Sequence, residues 1–240
     1  TPLTMTEDVG AGPYSSPYRW RPMTWEVEGV EYFNERAIST QQTAFSFVAQ
    51  MRSWLPNEIG DILWFGIDDA AQTVYYPFYC GHTETPHEMT PGNGDLLTFS
   101  WTSAFWIHNW VSNMVYTRYS DMSVDMKKIQ SKLEDQFRAS QPEVEKEATR
   151  LGEQSPSQAV HYLTQYTNTL VKEGVAEWKK LGEYLMVKYV DGVIKREENG
   201  QFKRNPYGEP TSPLRPGYSN EYYKKIVDQT GDKYKVHPIE

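Results

Sequence analysis

FSFVAQMRSWLPNEIGDILWFGIDDAAQTVYYPFYCG, residues 45–81, decides how this chain folds. Phe45, Phe47, Ala49 and Met51 alternate with Ser46, Val48, Gln50 and Arg52. A period of two predicts a strand with one buried face. Pro56 and Gly60 bracket the next turn, and residues 62–67 form a continuous apolar run, as a central strand requires. Asp68-Asp69-Ala70-Ala71 turns the chain, with both carboxylates expected in solvent. Residues 74–81 make the following strand, where Pro77 argues for an edge or a bulge. Cys80 is expected deep inside that strand, packed as a small hydrophobe.

Upstream, residues 25–27 and 30–32 flank Glu28-Gly29, a two-residue hairpin turn, and residues 36–40 extend it. Residues 1–24 read as a Pro-, Gly-, Ser- and Tyr-rich loop carrying GPYSSPYRWRP. Downstream, the period changes. Ile107, Val111, Met114, Val115, Tyr119, Met122, Met126, Ile129, Leu133 and Phe137 fall three and four apart, a helical stripe. Pro142 is placed to open a new helix with Gly152 as its stop. Ser155, Pro156 and Gln158 predict an N-cap, a first-position proline and a capping-box partner for a helix ending at Asp191-Gly192. Residues 193–218 read as a polar loop, and a short helix covers about 219–229. Strands followed by long helices predict an α+β domain: loop and antiparallel sheet over 1–100, a helical hairpin over 101–192, and a C-terminal loop with a short helix over 193–240.

Composition narrows the function. Of 240 residues, 38% are apolar and 23% charged, which fits a folded chain. A net charge of −8, with no basic stripe, argues against nucleic acid. No run of about 18 apolar residues is present, so no helix is expected in a membrane. A single cysteine forms no internal disulfide, which fits a reducing cytosol and equally a secreted or periplasmic protein. TPLTMTEDVG lacks a basic-then-apolar signal, and a chain opening on Thr1 points to processing, nicking or truncation.

ERAISTQQTAFSFVAQMRSWLP, GDILWFGIDDAAQTVYYPFYCG, SAFWIHNWVSNMVYTRYSDM and LGEYLMVKYVDG resemble, in order, the C-terminal half of bacterial cysteine-type dipeptidases, the dipeptidase A-like and secernin-related peptidase family. The resemblance implies the C-terminal portion of an N-terminal-nucleophile hydrolase αββα sandwich. It implies dipeptide hydrolysis without a cofactor or metal, by a terminal cysteine whose own α-amino group is the base. That cysteine is expected in a missing N-terminal segment of the same protein. This chain alone is expected to be inactive, and its partly uncovered sheet to favour self-association.

A more distant resemblance links PYSSPYRWR to the loop of penicillin V acylases and bile salt hydrolases. Carried over, Arg19 is the catalytic candidate, stabilising a thiolate and the growing oxyanion. The opposing reading pairs Arg19 with Glu7 or Asp8. Arg21 is the weaker alternative. Arg52 is a candidate for a substrate carboxylate, against a reading as a buried or rim ion pair. Gln41 and Gln42 are candidates for hydrogen bonds to a peptide. Thr1 is a formal alternative nucleophile. His82, Glu84, His87 and Glu88 have neither the spacing nor the helix of a zinc motif and read as a polar loop. Two other functions stay open: an aromatic-rich sugar- or peptide-binding module without catalysis, and an amidohydrolase of the acylase type.

Overall fold

In the computed structural model the described residues are 6–7, 9–34 and 36–237. The architecture is α+β, with antiparallel strands first and long helices after them. Strands β1 (Thr24–Val27) and β2 (Val30–Phe33) form a hairpin in the register Val27↔Val30. Glu28 and Gly29 both take positive φ, 53° and 79°, the geometry whose twist suits a two-residue turn. Residues 36–40 do not extend the hairpin; they form a loop.

The main sheet has the order β3 (Phe45–Met51), β4 (Asp61–Ile67), β5 (Tyr76–Tyr79), all antiparallel. A single helical turn, α1 (Asn57–Gly60), links β3 to β4. The apolar run is the central strand, and the Pro77 strand is an edge, where a missing N–H does least harm. β3 is the other edge, and Phe45, Phe47, Val48 and Met51 are all exposed on it. The expected single buried face of β3 is therefore not buried by the described residues, because nothing among them packs over it.

Helices α2 (Ala104–Thr117), α3 (Tyr119–Gln154) and α4 (Pro156–Tyr189) supply the rest of the core. α3 and α4 form the antiparallel hairpin beside the sheet, and Tyr76, Phe137, Val171, Val175 and Trp178 are buried between them. Polar contacts reinforce this seam: Thr167 Oγ1 donates to the Pro77 carbonyl at 2.7 Å, and Gln130 Nε2 to the Thr73 carbonyl at 2.6 Å. Lys188 is buried but meets Asp125 and Glu197, each at 2.7 Å, so its charge is compensated.

Several expectations need correction. The helical stripe is broken at Arg118 (φ −147°, ψ 58°), where the buried guanidinium lies over the Tyr14 and Tyr189 rings. Pro142 opens no helix: α3 runs through it and past Gly152 to Gln154. Leu133, Phe137, Val144 and Ala148 are buried on both sides of the proline, and that packing offsets a local defect of about 3 kcal/mol. α4 does start at Pro156 behind Ser155, but the capping box is not made, since Ser155 Oγ pairs with Ser157 Oγ at 2.9 Å. In the expected polar loop lies a small hairpin, β6 (Glu197–Glu198) and β7 (Gln201–Phe202), turned by Asn199-Gly200. The Asn-Gly pair was its available signal. The last helix, α5 (Asn220–Thr230), begins at Ser219, which accepts from the Tyr222 N–H.

Candidate functional site

The loop bearing Arg19 lies where β4 ends and α2 finishes. Tyr18 is buried, with its ring 4.6 Å from the Tyr116 ring of α2 and 6.0 Å from Tyr119. Trp20 meets Tyr116 edge-on at 6.0 Å. Arg19, between Tyr18 and Trp20 in the sequence, is half-buried, and its Nη1 donates to the carbonyls of Ser16 (3.0 Å) and Tyr18 (3.1 Å). Curling the guanidinium back onto its own loop limits the positions it can adopt. Gln41 Nε2 donates to the Arg19 carbonyl at 3.2 Å. The structure thus brings together two of the residues singled out in the sequence. Gln42 is exposed beside them. Thr1 and Asp8 lie outside the described residues.

Beneath this loop sits a feature that sequence reasoning placed wrongly. Asp68 and Asp69 are not solvated; both are buried, at 1% and 0% exposure. The turn that carries them is roofed by α2 and by residues 39–44. Asp69 Oδ2 accepts from the Tyr116 hydroxyl at 2.7 Å, and Oδ1 accepts from the Ala71 N–H at 2.9 Å and from the Ser39 hydroxyl. Asp68 takes a left-handed φ of 67°, and its Oδ1 accepts from Asn109 Nδ2 at 2.9 Å. Burial pushes the Asp68 carboxyl up to about 6, against the opposing pull of the Asn109 hydrogen bond. Gln72, in the same turn, donates to the Tyr18 hydroxyl at 3.0 Å. Burial first, and then the Asp69 charge, push the Tyr18 and Tyr116 hydroxyls well up, so both remain protonated donors.

Arg52 stands elsewhere. It is buried, with Nε and Nη2 donating to the carbonyls of Gly60 and Ile59 and a two-pronged ion pair to Glu145. A guanidinium so occupied joins β3 to α3, in place of the substrate-carboxylate role considered above. Cys80 is also not where it was expected. It is exposed just past the end of β5, not inside a strand. Partial desolvation of the thiol, and then the Asp61 charge, raise its pKa, which disfavours the thiolate needed for attack. His82 packs edge-on against Phe78 at 5.0 Å, and Glu84 meets Gln165 at 3.4 Å.

On the sheet face beside residue 44 is an apolar cleft of about 560 Å³, lined by Phe45, Leu63, Phe65, Phe78, Met89 and Phe105. The Ala44 carbonyl accepts from the Asp68 N–H at 2.8 Å, so the cleft and the acidic turn share a wall. No described helix is long and apolar enough to cross a membrane.

No curated protein matches the chain at a significant level. Residues 5–132, which contain the Arg19 loop, the acidic turn, the whole sheet and α2, match the profile of peptidase family C69. The match covers more than half of the chain and agrees with the dipeptidase A and secernin resemblance of its motifs. The chain belongs to peptidase family C69.

Proposed function

We propose that this chain forms part of a dipeptide hydrolase whose attacking thiol is an N-terminal cysteine on polypeptide outside these 240 residues. Membership in a peptidase family supports bond hydrolysis. The observation that carries the finer reading is the anchored Arg19, held by Ser16, Tyr18 and Gln41 in a loop braced by buried aromatic rings. Cys80 is unsuited to the attack because its surroundings favour the neutral thiol.

In this reading the terminal α-amino group takes the thiol proton, and the thiolate adds to the substrate carbonyl. Arg19 stabilises the oxygen that becomes negative, and its charge needs no titration at any working pH. Collapse of the tetrahedral intermediate breaks the C–N bond, and the leaving amine takes the proton back from the α-ammonium. Water then hydrolyses the thioester, regenerating the thiol and releasing the acid. In this reading the apolar cleft takes an apolar side chain of the substrate.

Dipeptide hydrolysis is assayed with these 240 residues alone and with the protein that includes the cysteine-bearing segment. Activity is expected only in the second, and Arg19→Ala there should lower kcat by about 10²–10³-fold. Hydrolysis by the 240 residues alone, or an unaffected Arg19→Ala protein, overturns the reading. Cleavage of N-acyl amides with no cleavage of dipeptides would assign the chemistry to the acylase type instead.

A further inference from the structure

We infer that Asp69 is a positioning residue for Arg19, acting through two contact chains, one through Tyr116 and one through Ser39 and Gln41, that both end at the arginine loop. The inference rests on the proposed role of Arg19.

The first chain runs through α2. Asp69 Oδ2 fixes the Tyr116 hydroxyl at 2.7 Å, and the Tyr116 ring packs against both neighbours of Arg19, Tyr18 at 4.6 Å and Trp20 at 6.0 Å. The second runs through the segment before β3. Asp69 Oδ1 accepts from Ser39, and two residues further on Gln41 holds the Arg19 carbonyl at 3.2 Å. Gln72, from the same turn, adds a third tie at the Tyr18 hydroxyl. Rotating the Asp69 carboxylate would loosen both flanks of the arginine together.

A purely structural account explains this arrangement less well. Asp69 is fully buried, and its hydrogen bonds among the described residues come from the hydroxyls of Tyr116, Ser39 and Tyr18 and from a backbone N–H, none of them a cation. A buried carboxylate without a cation is costly to desolvate, more than the packing of a turn alone requires. A carboxylate accepts from both arms at once without donating to either. An asparagine keeps an oxygen for one arm only, and its NH₂ obliges the hydroxyl of the other arm to turn from donor to acceptor. The charge therefore matches what the two arms need.

The test uses the whole protein, including the cysteine-bearing segment. Asp69→Asn should lower kcat for dipeptide hydrolysis by about 10–100-fold, because a displacement of about 1 Å in a catalytic group costs that order of rate. KM should stay within about twofold, since ground-state binding is not what is lost. On an Arg19→Ala background the same substitution should cost less than about twofold more, because both act through one guanidinium. If Asp69→Asn fails to fold, Tyr116→Phe with Ser39→Ala removes both donors, keeps the carboxylate, and should show the same kcat loss and the same non-additivity. An unchanged kcat, or losses that multiply with Arg19→Ala, overturns the inference while leaving the role of Arg19 intact. If Arg19→Ala itself leaves kcat unchanged, both the reading and the inference fall.

Discussion

Arg52 and Glu145, 93 residues apart in the chain, meet in a two-pronged ion pair: Nη2 to Oε1 at 2.8 Å and Nη1 to Oε2 at 2.9 Å. The pair locks the end of β3 to the middle of α3. Glu145 also accepts from the Tyr79 hydroxyl at 3.1 Å and from Gln141 at 2.8 Å, so its charge is stabilised from three directions.

Removing Arg52 leaves a largely buried carboxylate without its cation. Arg52→Ala should destabilise the protein by about 3–5 kcal/mol, whereas Arg52→Met combined with Glu145→Leu should cost clearly less, since the pair's desolvation penalty vanishes with it. Denaturant unfolding measures both. An Arg52→Ala loss below about 1 kcal/mol would contradict the assignment.

Asp68 offers a pH test. Its folded value, about 6, lies above the ordinary carboxylate value of 3.8. A raised acid binds its proton more tightly when folded, so this group favours folding below about pH 4 and loses that contribution as pH rises through about 6. Asp68→Asn should remove that slope and stabilise the protein at neutral pH by about 1–3 kcal/mol. Asparagine also tolerates the left-handed φ of 67° at this position. Unfolding midpoints between pH 4 and 8 report it, and a wild-type slope retained in the variant refutes it.

His108 titrates in the opposite sense. Its imidazole is fully buried, with Nδ1 2.8 Å from the Ala104 carbonyl and the ring stacked 5.2 Å from Trp178. Burial lowers its pKa from 6.5 to about 4, with the Ala104 carbonyl pulling the other way. The folded state holds the ring neutral, so stability is present above about pH 6.5 and lost as pH falls through about 4. The two slopes oppose each other over the same interval. Asp68→Asn should therefore expose a net acid destabilisation that His108→Gln then abolishes.

Gly174 lies in α4 where the buried Tyr76 ring crosses the helix. A Cβ there would sit 2.5 Å from Tyr76 Cε1 and 2.6 Å from its hydroxyl oxygen. Gly174→Ala gains about 1 kcal/mol of helix propensity but loses about 1–3 kcal/mol by overpacking. A lower Tm is expected, and a higher one would show that Tyr76 can move aside.

The strands were legible because their signals are local. The alternation over 45–51, the apolar run over 62–67 and the Pro77 edge each depend on a few neighbouring side chains, and each lies where expected. The helical hairpin was legible for the same reason. Pro142 and Gly152 misled because local propensity yields to a buried stripe running along both sides of the proline. The acidic turn misled further: Asp68-Asp69 between two strands looks like an exposed connection, and only the arrival of Tyr116, Asn109 and Ser39 from distant segments removes it from water.

The order of residues by itself determined the α+β class, the central strand, the long helices and the peptidase family, because periodicity and contiguous motifs are properties of short stretches of chain. Tertiary structure alone decided which charges are buried and what they face. That the Arg52 guanidinium meets Glu145, that Gln41 holds the backbone carbonyl of Arg19, and that Asp69 lies beneath the arginine loop follow from contacts between segments tens of residues apart. No periodicity encodes such meetings; they come from packing the whole core at once.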